Sequence, residues 1–200
     1  SPRPPPWARC PVPRSIRADI VTPMLYESKR QRVVLLSEHG WDWDGGDWSE
    51  RLDLRAPQAT NSAAAYDPIR RRFVLIIHEP TRGDTWESDG VGWLRIGSVP
   101  PSHALVFDSR RCKAMLYVGN GAGAISLPDT GPGGDLLEYD GRSWTPQLSL
   151  GGPKSERQDM AYDAARGQLV VFAVLHDPSF RRFTETWTWD GARWDKRVAG

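Results

Sequence analysis

Apolar and polar positions recur in a fixed order along this chain. Four short apolar runs appear, at Val33 to Leu36, Phe73 to Ile77, Ala114 to Val118 and Leu169 to Leu175. Each leads to a segment in which large and polar residues alternate. The clearest is Thr186-Trp187-Thr188-Trp189. The others are Trp41-Asp42-Trp43, Trp86-Glu87-Ser88 and Leu137-Glu138-Tyr139. Alternation at period two predicts half-buried strands, and short continuous apolar runs predict buried ones. No stretch carries a helical period.

Two turn signals keep step with these strands. Asp-Gly-x-x-Trp occurs four times, from Asp44, Asp89, Asp140 and Asp190 to Trp48, Trp93, Trp144 and Trp194. An aromatic residue followed four places later by Arg precedes each apolar run: Tyr26 and Arg30, Tyr66 and Arg70, Phe107 and Arg111, Tyr162 and Arg166. Asp-Gly between alternating segments is a strong hairpin signal, because Gly accepts the positive φ that such turns need. One unit therefore reads strand, tight turn, strand, variable loop, strand, Asp-Gly turn, strand.

Such a four-stranded meander cannot bury both faces alone. Stacking the units around an axis does, which predicts an all-β propeller with sixteen core strands in four blades. The expected units are an N-terminal segment 1–23 and blades at 24–62, 63–102, 103–159 and 160–200. The tryptophans after Asp-Gly are expected to fill the space between blades. Trp48, Trp93 and Trp144 should be mostly buried, and Trp194 less so if no blade follows it. Trp7, in Pro4-Pro5-Pro6-Trp7, is either the last strand of an upstream blade or part of a tail.

The units resemble bacterial kelch repeats of the galactose-oxidase-like propeller type. The resemblance runs from about Pro23 to Val198 and is carried best by Met160-Ala161-Tyr162-Asp163, Arg166-Gly167, Leu169 to Phe172, and Thr186 through Trp194. Where the family usually has two glycines at the end of the second strand, the chain has Ser37-Glu38, Ile77-His78, Val118-Gly119 and Ala173-Val174, so that only Gly119 is kept. The resemblance implies that four blades are part of a six- or seven-bladed propeller, and it favours an extracellular or periplasmic location. The chain starts at Ser1 without an initiator Met and reads as a processed chain or a fragment. The runner-up family, WD40, lacks its Gly-His signature here.

Composition narrows the partners. The formal net charge is +1, which gives no reason to expect nucleic acid or an anionic membrane surface. Arg70-Arg71-Arg72 falls in a hairpin turn and reads as a solvated turn rather than a phosphate site. No apolar run approaches the ~20 residues of a membrane helix. Cys10 and Cys112 make neither a disulfide framework nor a zinc motif.

There is no Gly-x-Ser-x-Gly, phosphate loop or His-Glu-x-x-His. A galactose-oxidase-like copper site would need a cysteine placed to cross-link a tyrosine. Cys112 aligns with Gln31, Arg71 and Gly167 in a hairpin turn instead. No cofactor is expected. The expected function is a non-catalytic binding module for a protein or glycan ligand. The alternative is a propeller domain of a carbohydrate-active enzyme or oxidase whose catalytic residues lie outside this chain.

Strand alternation puts the loops between strands 2 and 3, and those between blades, on one face. Variable loops on a rigid scaffold are the usual place for recognition. The candidate binding residues are His78, Glu79 and Arg82 in one loop, and His176, Asp177, Phe180, Arg181 and Arg182 in another. Phe180 either folds back onto its own blade or stands out as an interface anchor. His39, His78 and His176 sit near the ends of second strands on three blades and read poorly as a metal cluster. Arg82-Gly83-Asp84 spells an integrin-binding tripeptide, but Asp84 is where strand 3 must begin. Uncovered terminal blades are expected to fray or to associate with other copies.

Overall fold

The computed structural model describes residues 22–37, 39–57, 62–79, 82–100, 102, 104–119, 134–147, 151–155 and 157–197. Trp7 and the N-terminal segment lie outside these residues. The described residues form sixteen strands and no helix. Blade 1 holds β1 (Met24–Glu27), β2 (Arg32–Leu36), β3 (Gly40–Trp43) and β4 (Trp48–Arg51). Blade 2 holds β5 (Ser62–Asp67), β6 (Arg72–His78), β7 (Gly83–Ser88) and β8 (Trp93–Val99). Blade 3 holds β9 (Ala104–Asp108), β10 (Lys113–Val118), β11 (Asp135–Tyr139) and β12 (Trp144–Gln147). Blade 4 holds β13 (Arg157–Asp163), β14 (Gln168–His176), β15 (Arg182–Trp189) and β16 (Trp194–Arg197). Each blade is an antiparallel sheet whose strands lie in chain order.

Local chemistry explains the turns. Asp67 Oδ1 accepts from the amides of Ile69 and Arg70, and Asp67 Oδ2 takes the Arg70 guanidinium at 2.7 Å. Asp108 holds the amides of Arg110 and Arg111 in the same way. The residue after each Arg has a positive φ: Gln31, Arg71, Cys112 and Gly167. The Asp-Gly turns work similarly. Asp140 Oδ1 accepts from the amides of Arg142 and Ser143, at 2.8 and 2.9 Å. The amides of Ser143, then Arg142, hold the Asp140 carboxyl below its ordinary value.

The first strands sit side by side, with β1 against β5, β5 against β9 and β9 against β13. Three cores fill the joints between successive blades. Leu25, Val34, Leu36 and Leu54 of blade 1 meet Tyr66, Phe73 and Leu75 of blade 2. Ala65, Val74 and Ile76 meet Leu105, Ala114 and Leu116 of blade 3. Met115, Tyr117 and Leu136 meet Met160, Val171, Trp189 and Trp194 of blade 4.

This geometry corrects the expectation for the tryptophans. Trp194 is the buried one, whereas Trp48, Trp93 and Trp144 are half-buried. The reason is direction. The tryptophan of each blade faces the preceding blade, so Trp194 packs edge-on against Tyr117 of blade 3. Among the described residues it is the tryptophan of blade 1, not that of blade 4, that meets no neighbouring blade.

Candidate functional site on the loop face

Alternating strand direction sends the loops from β6 to β7 and from β14 to β15 to one end of the propeller. The aromatic-Arg and Asp-Gly turns lie at the other end. The face with the longer loops carries all eight candidate residues.

Across the loop after β6 the Glu79 amide donates to the Arg82 carbonyl at 2.8 Å. Arg82 Nε lies 3.1 Å from Glu79 and 3.3 Å from Asp84. Asp84 is gripped from the other side by Arg95, which donates twice, at 2.9 and 2.8 Å. Ser98 Oγ adds a third donor. These bonds, Arg95's first, hold the Asp84 carboxyl below its ordinary value against the opposing pull of burial. Asp84 thus organises the root of this loop. In the Arg82-Gly83-Asp84 tripeptide its carboxylate is buried, which does not suit an integrin-type contact. Gly83 is also required here, because a Cβ would meet Ile76 at 2.7 Å.

The loop after β14 is built around Asp177. Its Oδ1 accepts from the amides of Ser179 and Arg181, at 2.8 and 2.9 Å. The Phe180 amide donates to the Asp177 carbonyl, and the Asp177 amide to the Arg181 carbonyl. His176 Nε2 accepts from Arg182 Nε at 3.3 Å. Phe180 emerges at φ 59°, with its side chain 87% exposed. It does not fold back onto its blade.

The structure brings Glu79 and Arg82 together, and Asp177, Phe180 and Arg181 together. The two groups are on blades 2 and 4, with blade 3 between them. His39, on blade 1, pairs with Glu50 at 2.8 Å. Among the described residues no group of three or more His, Cys, Asp or Glu side chains is placed to hold a metal ion.

The segments between blades behave differently from expectation. Leu54 and Ala56 are buried in the first joint. Ser102 and Ser155 are buried too, and the Tyr117 hydroxyl donates to the Pro153 carbonyl. These described parts of the inter-blade connections are packing elements. Arg95 and Ser98, which the sequence reading did not single out, belong to the site through Asp84. Strict alternation along β8 would put the two on opposite faces, and it is the register shift opposite Thr85 and Trp86 that brings both to the side of Asp84, a long-range feature with no signal in the sequence.

No family model matches the chain, and no curated protein matches it. Solved structures do resemble it, and they are β-propellers. An α-L-arabinofuranosidase from Clostridium thermocellum aligns over 88% of this chain and 70% of its own, with 10% identity and a TM-score of 0.54. TolB from Acinetobacter baumannii aligns over 86% of this chain and 42% of its own, with 8% identity and a TM-score of 0.52. A chain of a nidogen/laminin complex aligns over 84% of this chain and 71% of its own, with 16% identity and a TM-score of 0.50. At such identities the likeness shows the fold alone. The chain is an all-β protein of propeller architecture with four described blades.

Proposed function

We propose that this chain is a kelch-like propeller that binds a protein or glycan ligand through its loop face and performs no chemistry of its own. One observation carries the reading. Phe180 is a large aromatic residue held at positive φ and presented almost wholly to solvent. A bulky residue in the left-handed region is strained, and such strain clusters at functional sites. The loop that presents it is fixed by the four hydrogen bonds around Asp177, so little ordering entropy is lost when a partner covers it. Arg181 and Arg182 flank it, and an exposed aromatic beside Arg is a common interface anchor.

The carboxylates of this face support a binding role over a catalytic one. Glu79 and Asp84 are engaged by Arg82 and Arg95, and Asp177 by backbone amides. These bonds suit loop construction more than proton transfer.

The test uses a glycan array together with a pull-down, followed by affinity measurements on any ligand found. Changing Phe180 and Arg181 to Ala should abolish binding, and changing Arg71 and Arg142 on the opposite face should leave it intact. The reverse outcome would place the function on the wrong face.

A further inference from the structure

The three joints share one device. Each blade sends an Arg across to the Asp-Gly turn of the next. Arg51 of blade 1 lies over Phe73, and its Nη2 would be 3.0 Å from a Cβ placed on Gly90. Arg70 of blade 2 lies 5.2 Å from the Tyr139 ring centroid and would touch a Cβ on Gly141 at 2.5 Å. Arg111 of blade 3 lies 4.5 Å from the Trp189 centroid, and a Cβ on Gly191 would overlap its guanidinium. The glycine thus does more than turn the chain. It leaves room for a cation from the preceding blade.

Both halves of a fourth joint are present, and among the described residues neither is matched. Arg166 of blade 4 stands where Arg70 and Arg111 stand in theirs. It is paired with Asp163, yet its side chain is 74% exposed. Trp43 and Gly45 of blade 1 stand where Tyr139 and Gly141 stand in blade 3. A Cβ on Gly45 would meet nothing within 4 Å. The apolar faces agree. Leu36, Ile76 and Tyr117 are fully buried against the next blade, while the equivalent Phe172 is 49% exposed. Leu105 and Met160 are buried against the preceding blade, while the equivalent Met24 is 62% exposed.

We infer that these two faces dock on each other between copies of this chain, with Arg166 of one copy over Trp43 and Gly45 of the next. The partner is a second copy because the chain itself carries both complementary surfaces, each equivalent to surfaces that already meet inside it. The contact is head-to-tail. It closes when two copies make both joints at once and otherwise adds further copies. It is independent of the loop face, since Arg166 and Gly45 lie at the opposite end of the blades.

Sedimentation or light scattering on the 200-residue chain, from about 1 μM to several hundred μM, tests this. Concentration-dependent association is expected. Arg166→Glu should weaken it by about tenfold or more, the scale of a lost Arg–aromatic contact. Arg142→Glu, on a turn of blade 3 away from both end faces, should leave it unchanged. A monomer throughout would overturn the inference and leave these faces to further blades. So would association indifferent to Arg166→Glu, or weakened equally by both changes.

Discussion

Arg111 Nη2 donates to the Asp190 carbonyl at 2.6 Å while its guanidinium covers the Trp189 ring. One side chain therefore ties the turn of blade 3 to the turn of blade 4. The Nη1 of the same guanidinium is held by Asp108, which is fully buried. Replacing Arg111 with Ala removes the ring contact and the charged hydrogen bond, and strips a buried carboxylate of its cation. A loss of about 2–4 kcal/mol is expected in urea unfolding.

The glycine half of the joint gives a separate prediction. Gly45 and Gly141 share a positive φ, 104° and 96°, so Ala is strained at both. Only Gly141 has a guanidinium against it. Gly45→Ala should cost about 1–2 kcal/mol, and Gly141→Ala at least about 1 kcal/mol more. Equal losses would show that the Arg does not need the space.

Trp194 packs on Tyr117 and against Gly152, where a Cβ would meet the indole at 3.1 Å. Trp194→Ala should cost about 3–5 kcal/mol. Trp48→Ala should cost the least of the four tryptophan changes, because among the described residues no blade packs on the face it turns outward. The order is read from denaturation midpoints.

The contrast between these tryptophans shows what the chain order reveals. The Asp-Gly turns and the aromatic-Arg turns are local, so their residues name the strands directly and the sixteen-strand meander follows. Which face a tryptophan turns to its neighbour depends on how separate sheets stack, and Trp194 was misplaced for that reason. The Arg clamps are equally long-range. Arg30 has the repeat position of Arg70, yet it pairs with Asp42 inside its own blade, and Arg51 crosses the joint instead. Blade 2 has Ser88 where Tyr139 and Trp189 stand, so Phe73 receives the cation. At the candidate site, the loops were legible from their variable length. The exposure of Phe180 was not, because it follows from the hydrogen bonds of Asp177.

Asp84 gives the loop root a pH dependence. Its pKa is lowered in the folded chain from the ordinary value of an aspartate, chiefly by the Arg95 hydrogen bonds, so its contribution is present above that ordinary value and is lost as pH falls through the folded pKa. The unfolded state binds the proton first. Urea midpoints measured from neutral pH down into the acid range should show the wild type losing stability more steeply below about pH 4 than Asp84→Asn. Parallel curves would mean that Arg95 and Ser98 do not hold the carboxylate in solution.

Phe180 sits at a positive φ with its ring in solvent, so little packing offsets its backbone strain. Phe180→Gly should leave stability unchanged or raise it by up to about 1 kcal/mol, because Gly adopts the observed φ without strain. A loss of more than about 1 kcal/mol would mean that the ring packs on the protein.

The central claim is that the blades stack in sequence through three joints, so that among the described residues blades 2 and 3 are covered on both faces and blades 1 and 4 on one. Hydrogen exchange resolved by strand, at a concentration where the chain is monomeric, tests it most directly. The strongest protection should lie in β6 and β10, with faster exchange in β1, β2 and the outer strands of blade 4. Equal protection of all four blades in the monomer would contradict the account, because it would require the end faces to be covered as well.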